Sequence, residues 1–214
     1  MLSAVAGGIA RRLTVRMFEV RIHGRGGQGV VTAAEMLALA AFDEGRCAQS
    51  FPSFGSERTG APVVSFCRID DREIRTREPV MEPDALIVQD PTLMHRVYIF
   101  SGLKPDGYML INSARSFDEL GLGEFVKRYR HERLLTVPAS ELASEHTGRP
   151  LPNAALLGGF AALAGVHSLR AVERAIRERF ATAEAVAEGN VAAARAAHDW
   201  VAAELQELAR AAPG

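Results

Sequence analysis

The sequence predicts an α/β fold, a Rossmann-like three-layer arrangement with a mixed, mostly parallel sheet and a C-terminal helical segment. Three observations carry that reading. Short apolar runs of strand length alternate with helix-like segments along the chain. The first run passes straight into a glycine-rich turn and then into strong helix formers. From Ala183 onward the chain is Ala-rich and has no strand pattern.

Taken in order, Phe18 to His23 alternates apolar with polar residues, which is a half-covered strand, and Gly24-Arg25-Gly26-Gly27-Gln28-Gly29 follows as a tight turn. Val30 to Glu44 reads as a helix stopped by Gly45. Arg46 to Phe51 reads as a second strand, and Pro52 to Gly60 as a loop. Val63 to Ile69 and Glu73 to Arg75 flank Asp70-Asp71-Arg72, a spacing that predicts a β-hairpin and hence a mixed sheet. Ala85 to Gln89, Tyr108 to Asn112 and Leu134 to Val137 are near-continuous apolar runs, the pattern of strands covered on both faces. Helices are expected near Thr92 to Tyr98, Glu119 to Tyr129, Ser140 to His146, Asn153 to Ala164, Leu169 to Phe180 and Ala183 to Ala209, the last with a break at Gly189.

The 214 residues, 48% apolar and 24% charged, suffice for one compact domain. Its expected extent is 17–214. Residues 1–16 are expected to be a flexible N-terminal extension, with Met17 an alternative start. The charge in that opening stretch follows the apolar run instead of preceding it, the reverse of a signal peptide. The 25 basic and 26 acidic residues are mixed along the chain, so no basic stripe points to nucleic acid. The longest uncharged stretch, Pro150 to Ser168, is broken by Asn153, three glycines and His167, a poor membrane span. Cys47 and Cys67 belong to no metal-ligand spacing and read as small buried hydrophobes in a reducing cytoplasm.

The chemistry-bearing motif is Gly24-Arg25-Gly26-Gly27-Gln28-Gly29, a GxGxxG between strand and helix, where backbone N–H groups and a helix N-terminus suit a phosphate. A dinucleotide site would add a carboxylate at the end of the second strand, and Cys47-Ala48-Gln49-Ser50-Phe51 has none. Asp43 and Glu44 come too early to serve. Glycines needed only for a tight turn are the plain alternative. A second loop, Gly55-Ser56-Glu57-Arg58-Thr59-Gly60, would converge on the same crevice, with Arg58 suited to a phosphate or a partner carboxylate, or else paired with Glu57 at the surface. His23 beside the glycine loop is suited to an anion or a proton, but more often such a residue is a hydrogen-bonded strand end. Asn153 has the look of a helix N-cap. No catalytic triad or metal box is present, so the pattern is one of binding without a catalytic set.

Val20-Arg21-Ile22-His23-Gly24-Arg25-Gly26-Gly27-Gln28-Gly29 together with Gln49-Ser50-Phe51-Pro52-Ser53-Phe54-Gly55-Ser56-Glu57-Arg58-Thr59-Gly60-Ala61-Pro62 resembles the gamma subunit of the pyruvate/2-oxoacid:ferredoxin oxidoreductases. The likeness continues more loosely through Pro83 to Asp90, Asn112 and Pro152 to Gly158. It implies a non-catalytic component of a thiamine diphosphate- and iron–sulfur-dependent complex that converts a 2-oxoacid, pyruvate or an aryl or branched-chain analogue, to its acyl-CoA. Thiamine diphosphate and [4Fe-4S] clusters would lie on partners: alpha and beta thiamine-binding subunits and a ferredoxin-like delta subunit. Coenzyme A would be received between Gly24, Arg25, Gly26, Gly27, Gln28 and Gly29 on one side and Arg58, Thr59 and Gly60 on the other. The alternatives are a stand-alone dinucleotide-binding protein and a non-catalytic adaptor.

Overall fold

The structure, a computed structural model, describes residues 17–53, 60–95 and 98–211. The N-terminal extension and the stretch of the second loop that holds Gly55, Ser56, Glu57, Arg58 and Thr59 lie outside the described residues.

Six strands form one sheet in the order β2-β3-β1-β4-β5-β6. They are β1 (Phe18–Arg25), β2 (Cys47–Pro52), β3 (Pro62–Asp70), β4 (Ala85–Val88), β5 (Tyr108–Asn112) and β6 (Leu134–Val137). β1, β4, β5 and β6 pair in parallel, while β3 runs antiparallel to both β1 and β2. The expected mixed sheet is therefore present, but the expected hairpin is not. Both edges of β3 are already bonded, to β2 and to β1, so Glu73–Arg75 has no edge to join and runs as irregular surface chain.

The helices are α1 (Val30–Asp43), the short α2 (Gly123–Val126), α3 (Ala139–Thr147), α4 (Asn153–Ala164), α5 (Leu169–Arg179) and α6 (Glu184–Ala211). Alternation along the strands sorts the core into two layers. Val20, Ile22, Ile87 and Leu110 face the layer built from α1, α4, α5 and α6. Leu86, Val88, Met109 and Ile111 face a thinner layer of loops, the 3₁₀ turn Pro91–His95 and α2.

Three helical expectations change. The segment Glu119–Tyr129 is helical only over Gly123–Val126, because Gly121 takes a left-handed conformation (φ 73°) that ends any earlier turn. The segment from Thr92 is a 3₁₀ turn over Pro91–His95, and Tyr98 stands outside it. Gly189 does not break α6. A Cβ there would lie 2.8 Å from the carbonyl oxygen of His146, so the glycine admits the end of α3. Gly158 does the same in α4, where a Cβ would stand 1.9 Å from the carbonyl oxygen of Ala194 in α6.

Candidate functional site

In a sheet of this kind ligands bind outside the carboxyl ends of the strands, where successive connections leave to opposite faces. Here that point lies between β1 and β4. β1 leads into α1 on the helical face, and β4 leads into the Pro91–His95 turn on the other. The glycine-rich loop ends β1 and Asp90 follows β4, so the topology places them side by side.

The loop is held by its own two polar side chains. Gln28 Oε1 accepts the Arg25 backbone N–H at 2.8 Å, and Gln28 Nε2 donates to Asp90 Oδ2 at 3.1 Å. The Arg25 fork donates from Nε to Asp90 Oδ2 at 2.9 Å, from one terminal nitrogen to the Gly60 carbonyl at 3.0 Å, and from the other to Thr92 Oγ1 at 2.8 Å. Backbone bonds add to this: Gly26 N–H donates to the Ala61 carbonyl at 2.9 Å, and Gly60 N–H to the Gly26 carbonyl at 3.1 Å. The structure thus brings Gly24, Arg25, Gly26, Gly27, Gln28, Gly29 and Gly60 together. Arg58 and Thr59 lie outside the described residues. Partial burial pushes the Asp90 carboxyl up, but hydrogen bonds from Thr92 and Gln28 and the Arg25 charge outweigh it and hold the group below the usual aspartate range.

The opposite side of the loop is open. Gly27 (φ 95°) and Gly29 (φ 72°) both need the left-handed region that glycine enters freely. Gly29 stands at the N-cap of α1 with no side chain to cap it, and the first helical bond joins Ala33 N–H to the Gly29 carbonyl. The amides of Val30, Val31 and Thr32 therefore have no intrahelical acceptor. Beside this turn lies a cavity of about 550 Å³ lined by Gly27, Gly29, Thr32, His146, Arg149 and Asn153, among others.

Asn153 corrects its sequence reading. Pro152 occupies the cap position of α4, and Asn153 is the first helical residue, with Oδ1 accepting the Ala154 N–H at 2.9 Å. Its Nδ2 lies 2.5 Å from where a Gly29 Cβ would be. The residue is only 6% exposed, and among the described residues Nδ2 has no hydrogen-bond partner. Sequence reasoning missed this amide and also Asp90 and Thr92. The signal for the last two was available, since Gln89-Asp90-Pro91-Thr92 directly follows a fully buried strand.

His23 is not part of the open site. Burial, helped by the adjacent Arg21 charge, pushes its imidazole down to about 3, so it is neutral, and its Nε2 accepts a hydrogen bond from Arg21 Nε at 3.0 Å. Both cysteines are free thiols. Cys67 is fully buried, which pushes its thiol up to about 12, and Cys47 is partly buried. Among the described residues no group of three or more His, Cys, Asp or Glu is placed to hold a metal ion, and no helix is long and apolar enough to cross a membrane.

The fold has counterparts in known proteins. The pyruvate ferredoxin/flavodoxin oxidoreductase family model matches residues 19–200. The pyruvate/ketoisovalerate oxidoreductases common subunit gamma of Pyrococcus abyssi is 44% identical over 183 residues, 86% of this chain and 96% of that protein. The pyruvate oxidoreductase subunit PORC of Thermotoga maritima superposes with a TM-score of 0.71 at 34% identity, covering 86% of this chain and 96% of that one. A 2-oxoglutarate:ferredoxin oxidoreductase of Magnetococcus marinus, solved with 2-oxoglutarate, coenzyme A and succinyl-CoA bound, shares the fold at 18% identity and a TM-score of 0.62. It covers 92% of this chain, which spans 32% of that larger one. A family match across almost all of the described residues, and relatives matched over nearly their whole length, make this chain a gamma subunit of the pyruvate/2-oxoacid ferredoxin oxidoreductase family.

Proposed function

We propose that this gamma subunit forms the coenzyme A side of an active site completed by its partners. In this reading the glycine-rich loop would hold coenzyme A, while thiamine diphosphate on alpha and beta subunits and [4Fe-4S] clusters on partner chains would supply the decarboxylation and the electron transfer. The 2-oxoacid is pyruvate or an aryl or branched-chain analogue, and the setting is the reducing cytoplasm, in keeping with two free thiols.

The observation that carries the proposal is the unpartnered donor set around the cavity. Gly27 and Gly29 of the loop, Thr32 of α1's first turn and Asn153 line the cavity together, and Arg149 lines the same space. Such a set suits the phosphates of a nucleotide, with the helix dipole favouring the negative charge. The volume of about 550 Å³ lies within the range of cofactor pockets. Coenzyme A is also a ligand of the structurally similar Magnetococcus enzyme. A stand-alone dinucleotide site is less well served, because β2 ends in Ser50-Phe51-Pro52 and offers no carboxylate to a ribose. Arg58 and Thr59 are proposed as further coenzyme A contacts.

Hydrogen exchange on the assembled complex, with and without desulfo-coenzyme A, tests this. Protection is expected in peptides covering 27–32 and 146–153. Protection confined to other segments of the subunit, or to the partners alone, would remove the ligand from this cavity.

A further inference from the structure

The side of the glycine loop that faces away from the cavity is built as a closed ring of contacts. Asp90 accepts four hydrogen bonds: Oδ2 from Arg25 at 2.9 Å and Gln28 at 3.1 Å, and Oδ1 from the Thr92 backbone N–H at 2.9 Å and the Thr92 hydroxyl at 2.6 Å. Its side chain is 12% exposed and that of Arg25 is 23% exposed. Asp90 is mounted on rigid ground. The preceding residue, Gln89, donates its backbone N–H to the His23 carbonyl at 2.7 Å, continuing the β1–β4 ladder to the foot of the loop. Arg25 carries the connection onward to Gly60 and so joins three chain segments that are far apart in sequence.

A glycine-rich loop needs such support, because glycines at positive φ leave the backbone free to take other conformations. The Arg25 guanidinium would otherwise be the strongest anion-binding group beside the loop. With three of its contacts already made inside the protein, it shapes the loop instead of reaching for a ligand.

We propose that Asp90 is a positioning residue: acting through Arg25 and Gln28, it fixes the glycine-rich loop against Gly60 and so sets where the loop's open side presents its amides. The inference rests on the coenzyme A reading only for its kinetic consequence.

Two measurements on the assembled complex separate the two ideas. Asp90→Asn keeps the size and one acceptor but removes the charge that Arg25 meets. Hydrogen exchange in peptides covering 24–29 and 60–62 is expected to quicken about tenfold, the worth of one charge-assisted contact. The KM for coenzyme A is expected to rise by about the same factor, with kcat changing far less. Asp90→Glu should recover part of both effects. Arg25→Gln combined with Asp90→Asn should be no worse than the poorer single variant, since each acts through the other. Quickened local exchange with an unchanged coenzyme A dependence leaves the positioning role standing and sinks the coenzyme A reading. Unchanged exchange in these peptides overturns the proposal. Exchange quickened throughout the subunit also overturns it, because Asp90 would then be a general stabiliser of the fold.

Discussion

The two sides of the glycine-rich loop are made of the same few residues and treat their polar groups in opposite ways. On the β4 side every polar atom of the Gln28 side chain and all three nitrogens of the Arg25 fork are engaged within the protein. On the α1 side Gly29, Thr32 and Asn153 line a cavity, the amides of the first helical turn have no intrahelical acceptor, and Asn153 Nδ2 has no partner among the described residues. Donors at a helix N-terminus with no acceptor in the helix are available to a ligand. One side holds the loop still; the other offers donors at the position thereby fixed.

The largest expected effect comes from striking the residue where the two sides meet. Gly29→Ala puts a side chain at φ 72°, a strain of about 1–2 kcal/mol. It also sets a Cβ 2.5 Å from Asn153 Nδ2, so the amide must leave the wall. We expect a rise of more than about 100-fold in the KM for coenzyme A, combining the strain with a lost charge-assisted contact. Gly27→Ala is the control. Its φ of 95° brings similar strain, but nothing stands within 4 Å of the new Cβ. If steady-state kinetics give equal losses for both, displacement of Asn153 contributes nothing and the comparison between the two sides fails.

A smaller effect sharpens the open side alone. Asn153→Ala removes the Nδ2 donor while Pro152 remains at the cap of α4. A hydrogen bond to a charged group is worth about 1.5–3 kcal/mol, so the KM for coenzyme A should rise roughly 10- to 100-fold. Asn153→Asp should be worse, because it faces a phosphate with a carboxylate. An Asp variant that binds coenzyme A as well as the Ala variant does would place the phosphates elsewhere in the cavity.

These residues also show what was legible in the sequence. The β1–loop–α1 unit could be read because its signal is local: an alternating strand, glycines at fixed spacing, then helix formers. The parallel strands β4, β5 and β6 were equally plain as short apolar runs. β3 misled because Asp70-Asp71-Arg72 has local turn chemistry, and nothing local says that both edges of the strand are taken by β1 and β2. Asn153 misled in the same way. Its position after Pro152 matches an N-cap, while its amide packs beside Gly29, which is remote in sequence and carries no side chain to advertise the contact. Asp90 lies in the more loosely similar stretch Pro83 to Asp90, although its partner Arg25 stands in the motif itself. Local periodicity reveals elements; pairings across the sheet end have to be seen.

The smallest effect concerns acid, and it contrasts the neighbouring titratable groups of the two strands that meet at the site. His23, at the end of β1, is held neutral with its imidazole at about 3, mainly by burial and then by Arg21. A histidine whose folded value lies below its unfolded value of about 6.5 stabilises the fold fully above pH 6.5 and loses that contribution as pH falls toward 3. Each pH unit below 6.5 then costs about 1.4 kcal/mol for such a group. His167, pushed down to about 4 by burial against the opposing pull of Glu44, adds to the same slope and stops adding near pH 4. Asp90 behaves in the opposite range. Its folded value lies below the ordinary aspartate value near 3.8, so its contribution is complete above that pH and is lost only as pH falls through the lower folded value. Stability should therefore decline between pH 6.5 and 4 while the Asp90 clamp remains charged. Denaturant titrations at pH 7.0 and 5.5 on the complex-derived subunit and on its His167→Gln variant check this. The variant should lose about 1 kcal/mol less across that interval than the parent. Equal losses in the two proteins would take His167 out of the acid response and leave His23, beneath the loop, as the group that carries it.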